Sequence, residues 1–136
     1  MKKVILGICL MLSMNLSADL ILNGNEQYRN GNYTQAMKTY KKACEIQNAS
    51  GCNSVSIMYI KGNGVKQDAL KAIEYLTKAC DLNDAKGCYD LGYFYFRGMY
   101  VDEDKSRAKS LFNKACNAGN AKGCKNYKIL TNAGVK

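Results

Sequence analysis

Lys78-Ala79-Cys80-Asp81-Leu82-Asn83-Asp84-Ala85-Lys86-Gly87-Cys88 decides the fold, because its two words, Lys-Ala-Cys and Ala-x-Gly-Cys, occur three times at a fixed interval. The other copies are Lys42-Ala43-Cys44 with Ala49-Ser50-Gly51-Cys52, and Lys114-Ala115-Cys116 with Ala121-Lys122-Gly123-Cys124; each follows the last by 36 residues. A period of that length marks a solenoid, in which one supersecondary unit buries its apolar face only by stacking on the next.

Working outward, the residues before each first cysteine carry small or apolar side chains at helical spacing. They are Ala36, Met37, Tyr40, Ala43 and Cys44 in one copy, and Ala72, Ile73, Leu76, Ala79 and Cys80 in the next. The residues after each second cysteine do the same with Cys52, Val55 and Tyr59, then Cys88, Leu91 and Tyr95, then Cys124, Tyr127 and Thr131. Asn48, Asp84 and Asn120 stand directly before Ala-x-Gly-Cys, where a side-chain oxygen can accept from the unpaired amides of a first helical turn. Asp68 and Asp104 are placed to cap the alternate helices. Gly62 and Gly98 suit left-handed helix ends, and Gly134 holds the matching place in the third copy. A first helix is expected over Leu20 to Asn30. The pattern predicts about seven helices and no strands: an all-α, right-handed solenoid of antiparallel helix pairs.

At the N-terminus, Lys2-Lys3, the apolar segment Val4 to Leu16 and Ser17-Ala18 read as an export signal. Residues 1–18 are therefore expected to be a leader and 19–136 the solenoid domain. The apolar segment has 13 residues, too few to span a bilayer, and no later segment is long and apolar enough. Cys9 lies inside that leader. Removing Lys2 and Lys3 would take two charges from a net +9. The chain is expected in the periplasm or outside the cell, where Cys44, Cys52, Cys80, Cys88, Cys116 and Cys124 would be oxidised. Local pairing within each Cys-x7-Cys is the simplest arrangement, since one geometry then serves all three copies. Closing such a loop stabilises by roughly 2.5 kcal/mol in the chain-entropy account.

The segment Gly24-x3-Tyr28-x2-Gly31-x-Tyr33-x2-Ala36 resembles the tetratricopeptide helix-turn-helix pattern. Ala85-Lys86-Gly87-Cys88, Leu91-Gly92, Tyr95 and Gly98, followed by Asp104, Ala108 and Lys114-Ala115-Cys116, resembles the Sel1-like repeat. The Cys-x7-Cys in every copy is similar to the cysteine-rich branch of that family, the Helicobacter cysteine-rich proteins. The middle copy matches best; Ser56 stands where the next copy has Gly92, and Tyr100 where the preceding copy has Gly64. The resemblance implies a secreted or periplasmic repeat protein with one disulfide per repeat. It also implies either an interaction scaffold or a penicillin-binding protein with weak β-lactamase activity.

The sequence contains no histidine, which excludes Ser-His-Asp and Cys-His catalysis and every His-ligated zinc site. One Ser-x-x-Lys occurs, Ser106-Arg107-Ala108-Lys109, with the spacing of serine β-lactamases, but its companions Ser-Asp-Asn and Lys-Thr-Gly are missing. Lys109 is also unusual in matching Ile73 and Met37, which face the core. No Cys-x-x-Cys is present, so structural disulfides are expected in preference to a redox or metal site. The acidic run Asp102-Glu103-Asp104 is read as helix capping, and Tyr93-Phe94-Tyr95-Phe96 mostly as core. Asn53, Ser54, Tyr89, Asp90, Lys125 and Asn126 vary where the framework repeats, and these six are the expected contact surface. No cofactor or metal is expected. The partner would be a protein or a cell-wall ligand, peptidoglycan-like or β-lactam; the scattered positive charge would also suit an anionic surface. Nucleic acid is not expected, since no basic aromatic groove is evident. The chain is read as a monomer.

Overall fold

The computed structural model describes residues 2–136, with side chains from Asn15 onward. Seven helices follow in order: α1 (Lys2–Arg29), α2 (Tyr33–Glu45), α3 (Ala49–Lys61), α4 (Ala69–Asp81), α5 (Ala85–Arg97), α6 (Lys105–Asn117) and α7 (Ala121–Asn132). No strand occurs among the described residues. Each helix packs chiefly on its neighbours in sequence, which makes an all-α solenoid. The helix expected over Leu20 to Asn30 is the C-terminal part of the longer α1, which ends one residue earlier, at Arg29. The basic end and nearly all of the apolar segment read as a leader, Cys9 included, lie outside the described side chains. No helix among the described residues is long and apolar enough to cross a membrane.

Every turn from an even to an odd helix is built alike. The amide of Gln47 donates to the Cys44 carbonyl, and that of Asn48 to the Ala43 carbonyl. Asn83 and Asp84 repeat these bonds in the second turn, as do Gly119 and Asn120 in the third. This is the Schellman closure, with a left-handed residue satisfying the last carbonyls of the helix. The following residue at once caps the next helix: Asn48, Asp84 and Asn120 accept from the amides of Gly51, Gly87 and Gly123 at 3.0, 2.7 and 2.8 Å. Asp68 and Asp104 cap α4 and α6 through the Lys71 and Arg107 amides. At the head of α2, Asn32 makes no side-chain cap.

The repeated words now have a physical reason. Ala43, Ala79 and Ala115 are wholly buried, each facing the glycine of Ala-x-Gly-Cys on the next helix. A Cβ on Gly51 would come within 2.6 Å of the Ala43 Cβ, and one on Gly123 within 2.9 Å of the Ala115 Cβ. Only glycine against alanine lets the helices cross this closely. The crossing brings the flanking cysteines to Cα separations of 4.4–4.6 Å, and disulfides join Cys44–Cys52, Cys80–Cys88 and Cys116–Cys124. Those separations fall within the range a disulfide spans.

The core runs along the stack as three clusters. The first centres on Met37, Tyr40, Val55, Met58 and Tyr59, the second on Leu76, Cys80, Cys88 and Leu91, and the third on Ala108, Phe112 and Leu130. In the first, Tyr40 lies so close to α1 that a Cβ on Gly24 would meet its ring at 2.6 Å. This explains the glycine that opens the tetratricopeptide-like segment. The Tyr40 hydroxyl donates to Asn25 Oδ1 at 2.7 Å, and burial pushes its ionisation above the ordinary 10.0. Buried Ser56 and Asn53 each carry a side-chain oxygen with no hydrogen-bond partner.

Two predictions follow from these contacts. Gln47 holds the left-handed position, at φ 63°, that glycine holds at Gly119. Gln47→Gly should therefore raise the unfolding free energy by about 0.5 kcal/mol, the relief of the Cβ clash exceeding the added backbone entropy; chemical denaturation would show no gain, or a loss, if the turn were relaxed. Because Tyr40 ionises less readily folded than unfolded, its neutral form supports the fold fully below about pH 10, and that support is lost as pH rises through the folded value. Tyr40→Phe should flatten the alkaline fall in stability relative to the wild type, and an identical fall in both proteins would contradict this role.

Candidate binding surface

On the odd-numbered helices, residues 54, 57 and 58 of α3 are equivalent by two repeat periods to 126, 129 and 130 of α7. The two sets line grooves on the same face of the stack. The first groove, about 270 Å³, lies between α1 and α3 and is walled by Asn25, Tyr28, Tyr40, Ser54, Ile57 and Lys61. The second, about 300 Å³, lies between α5 and α7 over Phe112, with Tyr89, Tyr93, Phe96, Asn126 and Ile129 around it.

The grooves differ in chemistry. In the first, hydroxyl and amide groups are tied together: Asn63 Nδ2 donates to the Tyr28 hydroxyl at 3.0 Å, and the Lys61 ammonium reaches the same oxygen at 3.4 Å. Its mouth is polar. In the second, Tyr89 packs on Phe112 with ring centroids 5.6 Å apart and stacks on Tyr93 at 6.5 Å, while Phe96 lies 6.4 Å from Phe112. Asn126 supplies the amide in a wall otherwise aromatic and aliphatic. Ile129 stands 51% exposed and Tyr93 37% exposed at its rim, so the groove presents mostly apolar surface.

Of the six residues expected to form the contact surface, Ser54, Tyr89 and Asn126 line these grooves. Lys125 is exposed beside them, and Asp90 is half-buried and paired with Lys86 at 2.6 Å. Asn53 departs from that expectation. At 8% exposure it lies beneath the surface, because its position in α3 is turned inward by the close packing there. Of the groove residues outside that expected set, Ile57, Tyr93 and Ile129 carry a pattern readable in the sequence. They occupy one register in three successive odd helices and are apolar in all three, which is the signal that could have found them. The aromatic run is split: Phe94, Tyr95 and Phe96 are half-buried against the core clusters, and Tyr93 is at the surface.

The Ser-x-x-Lys pair is placed as follows. Ser106 is exposed in the first turn of α6, and no hydrogen bond joins it to Lys109. The Lys109 ammonium instead donates to the Val135 carbonyl at 2.6 Å and lies 5.8 Å from the Tyr127 ring centroid. This fastens the C-terminal segment over α6. In the acidic run, Asp104 is engaged as the α6 cap and Glu103 pairs with Lys105 at 3.4 Å.

The Sel1 repeat model matches residues 12–48, 49–84 and 85–120. HcpC of Helicobacter pylori strain J99 is 37% identical over 53 residues, 39% of this chain and 18% of HcpC. Beta-lactamase HcpA of the same strain is 33% identical over 57 residues, 42% of this chain and 23% of HcpA. The chain thus aligns with about a fifth of the length of these curated relatives. Among solved structures, cysteine rich protein B of Helicobacter pylori superposes with a TM-score of 0.65 at 37% identity, covering 67% of this chain and 68% of that one. A Sel1 repeat protein from Oxalobacter formigenes gives a TM-score of 0.75 at 29% identity, over 84% of this chain and 47% of that one. With three in-register repeats covering most of its length, the chain belongs to the Sel1 repeat family.

Proposed function

We propose that the protein is an exported binding scaffold that seats a protein segment against the face formed by its odd-numbered helices. The observation that carries this reading is the pair of repeat-related grooves on that single face, one edged by hydrogen-bonding side chains and one walled by aromatic rings. Sel1 repeats are protein-interaction modules, and nearly every other feature of the chain is absorbed by repeat architecture. The preferred ligand is a peptide that places one bulky apolar side chain over Phe112 and offers a hydrogen-bonding group to Asn126. Export is supported by the basic, apolar and small-residue order of residues 1–18 and by three disulfides, which persist in oxidising compartments. The periplasm or the extracellular space is the proposed location.

A second reading, β-lactam hydrolysis, is favoured by the name of HcpA. Against it stands the engagement of Lys109 by the Val135 carbonyl, which leaves Ser106 without a base at hydrogen-bonding distance.

Panning a displayed peptide library on the oxidised protein should select sequences centred on a large apolar residue. Their affinity should fall at least about tenfold in Ile129→Asp and Tyr93→Asp, as expected for residues at the centre of an interface. Both positions are at the surface, so the melting temperature should hold. Selected peptides indifferent to both changes would contradict the groove assignment. In parallel, a chromogenic β-lactam should show no turnover above background; turnover by the wild type that disappears in Ser106→Ala would replace the scaffold reading with the hydrolase one.

A further inference from the structure

The loops that join α3 to α4 and α5 to α6 form one edge of the stack, and two repeat-equivalent depressions lie along it. The first, about 530 Å³, is lined by Tyr59, Val65, Lys66, Gln67, Asp68 and Lys71. The second, about 700 Å³, includes Leu70, Tyr100, Val101, Asp102 and Glu103. They share no residue with the grooves described above.

Three departures from the repeat converge on the second depression. Leu70 is 77% exposed at a position where the other copies have Thr34 and Ser106. Tyr100 replaces Gly64 yet keeps its left-handed backbone, at φ 63° against 69°, a conformation that costs a side-chain-bearing residue about 1 kcal/mol. It remains 45% exposed, its ring meeting Phe94 edge-on at 5.4 Å. Asp102-Glu103 replaces Lys66-Gln67. Apolar surface and negative charge have thus been added together, in a chain of net charge +9.

The adjoining depression has the opposite sign. The ammonium groups of Lys41 and Lys71 lie 5.5 and 5.6 Å from the Tyr59 ring centroid, and Lys66 is exposed beside them. Asp68 is the acidic side chain there, held at the α4 cap and 3.9 Å from the Lys71 ammonium. On the acidic side the basic groups are Lys105, paired with Glu103, and Arg107, whose guanidinium covers the Tyr95 ring at 4.3 Å. Leu70 stands between the two, next in sequence to Lys71 and on the wall of the acidic depression.

A basic patch and an acidic patch side by side, with an exposed leucine between them, make a surface complementary to itself under a two-fold rotation. We propose that this edge docks a second copy of the chain. Lys66 and Lys71 of each copy then face Asp102 and Glu103 of the other, and the two Leu70 side chains meet near the axis with Tyr100 closing over them. The charges are exposed, so the association is salt-sensitive.

Sedimentation of the oxidised protein tests this directly. The wild type should form dimers at low salt and dissociate as salt rises. A variant carrying Asp102→Lys with Glu103→Lys, and another carrying Lys66→Glu with Lys71→Glu, should each weaken the dimer at least about tenfold. None of these four side chains caps a helix, and circular dichroism would confirm that both variants fold. Mixed in equal amounts, the two should recover dimers, since each then faces a partner of opposite sign. Leu70→Ser, which leaves the charge untouched, should also weaken the wild-type dimer. A wild type monomeric at low salt up to millimolar concentration, or a mixture of reversed variants that stays monomeric, would overturn the proposal.

Discussion

The contact on which the structure depends is the crossing of alanine against glycine at each even-to-odd corner. Glycine removes the Cβ that would strike Ala43 or Ala115, so the helices approach until the neighbouring cysteines are 4.4–4.6 Å apart. Two further demands fall on the same short turn. The ending helix needs its last carbonyls satisfied, and the starting helix needs an acceptor for its first amides. One Asn or Asp serves both, donating its backbone amide backward and receiving the glycine amide forward. Close packing, two caps and a cross-link are thus compressed into eleven residues, which is why the words repeat so faithfully while the helix surfaces drift.

Set against the repeat boundaries of the family model, each disulfide crosses from one unit to the next. Cys44 ends the first repeat and Cys52 begins the second; Cys80 and Cys88 relate the second to the third; Cys116 and Cys124 tie the third to α7. In a solenoid, stability is divided between the units and the interfaces that join them. Here the covalent bonds strengthen the interface share. The strongest case is α7, which lies beyond the last matched repeat and packs on α6. Two of its exposed positions are polar, Lys128 and Thr131, where α5 has Gly92 and Tyr95. The third bridge ties that helix to α6, and the hydrogen bond from Lys109 to the Val135 carbonyl holds the segment after it against the same helix.

The corner was legible in the sequence because its constraints are local. Helix ends, caps and cystine pairing all depend on residues within about a dozen positions of one another, and the 36-residue period triples the signal. What remained hidden depends on contacts between distant residues. The inward turn of Asn53 follows from the packing of α3 against both neighbours, and its amide was read as a surface group for want of that information. Tyr100 breaks the glycine pattern, yet nothing local tells that its backbone keeps the glycine conformation. The anchoring of Lys109 on a carbonyl 26 residues away could not be read from the α6 sequence, although the mismatch with Ile73 and Met37 marked that position as odd. The grooves were half legible. Variable residues point to Ser54, Tyr89 and Asn126, while Tyr93 sits in an aromatic run that reads mostly as core, and nothing local marks Ile57 or Ile129 as lining a groove.

A rigid stack suits the proposed role, because a groove held in shape before its ligand arrives loses less freedom on binding. Rigidity in turn rests on the joints, and the central claim is that the disulfides hold the repeats together at their boundaries. Hydrogen exchange followed by mass spectrometry, on the oxidised and the fully reduced protein under native conditions, measures this helix by helix. The account predicts that reduction raises exchange most in α7, next at the α4–α5 and α2–α3 corners, and least in the helix middles within each repeat. Protection that is unchanged at the corners and in α7 after reduction would contradict it, and would leave the alanine–glycine crossing alone as what holds the stack.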